Sequence, residues 1–87
     1  MTARQIALAR HALGLQPGRL VTSRNHFFAE PDDDDFPAWQ GMVAAGMAIA
    51  RTSNALPSGW IMFHLTRAGA ERALLPGDVL DPEDWPK

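Results

Sequence analysis

The apolar positions fall into three periodic groups. In the first, Ile6, Ala9 and Leu13 interleave with Leu8, Ala12 and Leu15, the three-to-four spacing of a helix face. It predicts a helix over about residues 3–13. Thr2 and Gln5 match the capping box, in which each side chain satisfies a free backbone N–H at the other's position. Gly14 supplies the left-handed closure, onto which Leu15 folds back. The second group, Phe36, Trp39, Met42 and Val43, predicts a helix over 36–45, with Met47 continuing its line and Gly46 stopping it. The period then changes to two. Residues 47–51 alternate weakly. Residues 60–65 alternate strongly, with Ile61, Phe63 and Leu65 on one face and Trp60, Met62 and His64 on the other. Two strands joined by the turn-rich segment 52–59 are expected. Thr66 is placed to cap a last helix, with Ala70, Ala73 and Leu74 inward and Pro76-Gly77 ending it.

The remaining segments lack a clear period. Gln16-Pro17-Gly18 is a turn, by the preset φ of proline and the tolerance of glycine. Leu20, Val21 and Thr22 favour a short strand, whereas Ser23 is placed to cap a short helix over 24–29 that would bury Phe27 and Phe28. The expectation is a brief extended run followed by a short helical turn. Residues 30–35, EPDDDD, form a solvated loop whose last member, Asp35, caps the helix ahead of Pro37. In the tail, Asp81 precedes Pro82, a cap with proline at the first helical position, so one turn that docks Trp85 is expected. The organising unit runs from Phe36 to Leu75. The fold class is α+β: a small winged-helix-like domain of about three helices plus a two-stranded β-hairpin. Residues 1–87 make one domain, with 76–87 an acidic C-terminal tail that is ordered in part.

Size and composition narrow this further. A chain of 87 residues buries only about 63% of its unfolded surface, enough for one small core. There is no cysteine, which removes disulfides and thiolate metal sites. No apolar run is long enough to span a bilayer, and the first residues lack the h-region of a signal peptide. A cytoplasmic protein with no membrane partner is expected. The net charge of −2 is unevenly spread. Arg4, Arg10, Arg19 and Arg24 precede any acid, the loop at 30–35 carries five acids, and the tail is acidic again.

Enzyme chemistry finds no motif. His11, His26 and His64 lack the spacing of a helical zinc site. The run PDDDDF lacks the alternating ligands and glycine of a calcium loop. There is no nucleophile elbow, and Gly41, Gly46 and Gly59 make no phosphate loop. No catalytic residue, metal or cofactor is expected. Nucleic-acid binding requires cations on phosphates and polar side chains on base edges. The helix at 36–45 offers only Gln40, behind four aspartates, and the hairpin adds only Arg51. A separate basic segment, Arg19, Arg24 and His26, is the one place for nucleic acid, and charge disfavours it. Protein contacts are the better expectation. Trp and Met are enriched at contact surfaces, and Trp60 and Met62 lie on the strand face opposite Ile61 and Phe63. Arg24, Asn25 and His26 form a polar triplet that packing alone seldom requires. These five residues are the candidate partner-binding set.

Two resemblances add to this. Residues 39–47, WQGMVAAGM, a hairpin, and then FHLTRAG at 63–69 resemble the back half of winged-helix domains. This implies that fold for about half the chain, although the helix and wing here are uncharged. Ala9 to Leu15, Arg24-Asn25-His26-Phe27, the step at 65–70 and Asp81-Pro82-Glu83-Asp84 resemble small proteins encoded in tailed phages and prophages of proteobacteria. That likeness implies a phage context in a bacterial host cell and no catalysis. The expected function is a non-enzymatic phage or prophage accessory protein acting through protein–protein contacts, with self-association open. The alternative is a small winged-helix-type DNA-binding regulator using segment 19–26.

Overall fold

A computed structural model gives the structure, which describes residues 1–86. It is an α+β domain of three helices and three strands in the order α1 (Ala3–Leu13), β1 (Phe27–Ala29), α2 (Phe36–Ala44), β2 (Ala48–Arg51), β3 (Ile61–Leu65), α3 (Arg67–Arg72). The strands form one antiparallel sheet, ordered β1-β3-β2. The expected two-stranded hairpin is therefore three-stranded, and the helical turn expected over 24–29 is replaced by β1. Its register sets Phe27 opposite Phe63 and Ala29 opposite Ile61. Phe27 and Ala29 then face the helices. Phe28, assigned to the core from sequence, points the other way and is 42% exposed.

The sequence signals at α1 all operate. The Thr2 hydroxyl accepts from Gln5 N–H at 3.1 Å, and the Gln5 amide oxygen accepts from Thr2 N–H at 2.8 Å. Gly14 adopts φ 77°, and Leu15 N–H donates back to Arg10 C=O at 2.9 Å. At α2 the cap differs. Asp35 occupies the N-cap position but makes no side-chain cap bond. Its backbone is already in the right-handed helical region, and its carboxylate pairs instead with Arg4 at 2.6 Å. The last helix ends at Arg72, short of Pro76. There the Asp78 carboxylate accepts from Leu75 N–H at 2.8 Å and folds the chain into a turn. The tail makes its single turn, closed by Trp85 N–H to Asp81 C=O at 2.8 Å, and Trp85 packs on the core.

The three helices cover one face of the sheet. Trp39, fully buried, stacks on Phe63 with ring centroids 5.3 Å apart and lies 5.2 Å from Phe27. Phe36 meets Phe63 edge-on at 5.5 Å. Leu13, Met42, Leu65 and buried alanines complete the core. The Trp39 indole N–H has no partner among the described residues, a loss of about 1–3 kcal/mol that the aromatic packing offsets.

Two close approaches lock the frame. Thr66 donates from its hydroxyl to Gly46 C=O at 2.8 Å and accepts from Gly69 N–H at 3.2 Å, while its own N–H donates to Met47 C=O at 3.0 Å. One residue thus caps α3 and ties it to the turn before β2. Gly69 lies so near that turn that a Cβ would stand 2.0 Å from the Met47 carbonyl oxygen. On the other side, the Arg10 guanidinium pairs with Asp78 and donates to Ala73 C=O at 2.9 Å. This joins α1 to the end of α3.

Candidate functional site: the outer face of the sheet

Alternation along each strand sends every second side chain away from the helices. Register places Phe28 opposite Met62 on β1–β3, and Ile49 opposite His64 and Arg51 opposite Met62 on β2–β3. Trp60 precedes β3 in the same phase. His26 precedes β1, with its ring 5.3 Å from that of Phe28. The outer face therefore presents Phe28, Trp60, Met62 and Ile49 at its centre. No described helix covers this face. Phe28 and Ile49 are each 42% exposed, while Trp60, Met62 and His64 are half-buried.

Charge is divided between the two edges. At the β1 edge, Glu30, Asp32 and Asp33 bring their carboxylate oxygens within 4.8 Å of one another. The loop's own bonds account for this clustering: Glu30 N–H donates to the Asp33 carboxylate at 2.9 Å, and Asp33 N–H to Glu30 C=O at 3.0 Å. Desolvation, followed by the negative charges of Asp32 and Asp33, raises the Glu30 pKa. At the β2 edge stands Arg51. Burial and then the Arg51 charge lower the His64 pKa and favour the uncharged imidazole. Among the described residues, neither Arg51 nor the three acids form an ion pair.

The five candidate residues divide into two groups. His26, Trp60 and Met62 share the outer face. Arg24 and Asn25 turn to main-chain groups. Arg24 donates to His11 C=O through Nε at 3.2 Å and through Nη2 at 2.8 Å, closing the end of α1. Asn25 bonds Leu65 twice, donating to its C=O at 3.1 Å and accepting from its N–H at 2.8 Å. In register, Asn25 stands two residues before Phe27 and level with Leu65, so its amide extends the ladder after the backbone has left it. Arg19 lies apart, exposed, in an isolated bridge with Gln16.

Phe28 and Ile49 are the members of this face that sequence reasoning missed. Phe28 was hidden by the helical reading of 24–29. Ile49 carried a legible signal, a lone large aliphatic between Ala48 and Ala50. A second exposed apolar strip, Leu20, Val21 and Val79, follows the tail, where Val21 and Val79 bridge in parallel. On the helix side, an apolar groove of about 340 Å³ between α2 and β2 is lined by Phe36, Val43, Ala50 and Ile61, with Gln40 at its rim. No described helix is long and apolar enough to cross a membrane. No family model, curated protein or solved structure matches the chain.

Proposed function

We propose that the protein is a non-enzymatic interaction module that binds another protein through the outer face of its sheet. The observation that carries this is the outer row Phe28–Met62 with Ile49 beside it, in which Phe28 and Ile49 stand exposed, on a sheet whose opposite face carries the three helices. A small chain gains from burying such a face, since each Å² of apolar surface removed from water contributes about 25 cal/mol. The polar groups on the face suit a contact surface better than a reaction. In register Glu30 falls level with Trp60, four residues along β3 from His64, so the imidazole and the carboxylates are not adjacent.

The phage or prophage setting and the cytoplasm of a bacterial host remain part of this reading on the motif likeness alone. The winged-helix-like description rests on α2 leading into the β2–β3 hairpin and then α3. A DNA-binding regulator using Arg19, Arg24 and His26 is less well supported, because Arg24 is engaged with the His11 carbonyl and α2 buries Phe36, Trp39 and Met42. The test is affinity capture from the host cell with the wild-type chain and with Ile49→Glu, which places a charge on the exposed face without touching the core. A partner held by the wild type and lost by Ile49→Glu is the expected result. Equal capture by both chains would sink the reading.

A further inference from the structure

Taking the outer face as the contact surface, we infer that its partner is a second copy of this chain, bound face to face about a two-fold axis parallel to the strands. Symmetry and charge carry this. Such an axis lays β3 over β3 and exchanges the edges, so that β1 of one copy lies over β2 of the other. Each level along the strands is kept. Met62 then meets Met62, and Phe28 meets Arg51 in both senses. Glu30 and Asp32 at the β1 edge come beside Arg51 of the other copy, because Arg51 pairs with Met62 while Glu30 falls one step beyond Phe28 at the same end of the sheet. An isologous interface needs this self-complementarity, in which one patch supplies both halves of each contact.

The charges within one chain leave this contact open. Arg51 and the acids lie on the same face two strands apart, and among the described residues neither is neutralised. The mutual repulsion of Glu30, Asp32 and Asp33 would be relieved by a cation arriving from above. A guanidinium over the Phe28 ring adds a cation–π contact. In the middle of the interface, burial and the Arg51 charge favour the uncharged form of His64. A hetero-partner would need only an apolar face, whereas the acid-to-arginine span with apolar side chains between its ends fits this chain itself.

Sedimentation equilibrium on the full chain tests the inference. The wild type is expected to dimerise, and Arg51→Glu to weaken the dimer about tenfold or more. Arg51→Glu combined with Glu30→Arg and Asp32→Lys is expected to restore it, which no general loss of folding can mimic. Circular dichroism confirms that each variant is folded. A wild type that stays monomeric at about 1 mM, or a dimer indifferent to Arg51→Glu, overturns the inference. If that monomer still captures a partner that Ile49→Glu loses, the interaction reading stands without the dimer. If Ile49→Glu changes neither capture nor mass, both fall.

Discussion

Asn25 does for the sheet what a backbone residue normally does. Its amide presents one donor and one acceptor in the spacing of a peptide group, and both are used on Leu65. Asn25→Ala leaves a half-buried N–H and C=O unpaired, and is expected to cost about 2–3 kcal/mol in denaturant unfolding. Asn25→Asp keeps the acceptor but sets a carboxylate oxygen against the Leu65 carbonyl, so it is expected to cost at least as much. Arg24→Ala removes only partly exposed bonds to the end of α1 and costs less than Asn25→Ala. Asp78 contributes to the acid limb. The hydrogen bond from Arg10, then that from Leu75 N–H, holds its carboxyl below the ordinary 3.8, against the desolvation that opposes them. The folded value lies below the unfolded one, so the contribution is complete above the unfolded value and is lost as pH falls through the folded value. Urea midpoints of wild type should fall through that window, and those of Asp78→Asn should start lower and change less across it.

At the scale of elements, the parts legible in sequence are those whose signals are local. Thr2 with Gln5, Gly14 and Thr66 announce helix ends because each cap is made within a few residues. The alternation at 60–65 announces β3 because both of its faces carry large side chains. Two features were not legible. The strand β1 is three residues long, too short for a period to show, and its partner β3 is far along the chain. Asp35 reads as a cap by its position, yet tertiary structure takes its carboxylate to Arg4. The step at 65–69 carries the strongest constraint. With the Met47 oxygen 2.0 Å from a Cβ on Gly69, Gly69→Ala must push α3 off the turn before β2. Overpacking of this kind costs about 1–3 kcal/mol, and a backbone obstacle puts it at the upper end. Thermal unfolding should show the loss, and Ala68→Gly next to it, exposed, should show only the smaller helix-propensity effect of about 1 kcal/mol.

At the scale of the molecule, the sheet is a partition. One side buries Trp39, Phe63, Leu65 and the helices. The other carries a row of apolar side chains between an acidic and a basic edge. The sequence pointed to half of that row, Trp60 and Met62, because β3 alternates visibly. Its other half, Phe28 and Ile49, depends on strand register, which requires knowing that β1 exists and which way β2 faces. The same register moves the Arg24-Asn25-His26 triplet from a single site to three roles: a helix-end bond, a ladder extension, and a ring beside Phe28. A contact surface on the outer face can be read directly by photo-crosslinking in the host cell. Benzoylphenylalanine in place of Phe28, and separately in place of Ile49, should each give a discrete adduct on irradiation, while the same group in place of Ala68, exposed on α3, should give none. Adducts absent from positions 28 and 49, or equal from position 68, would contradict a binding role for this face.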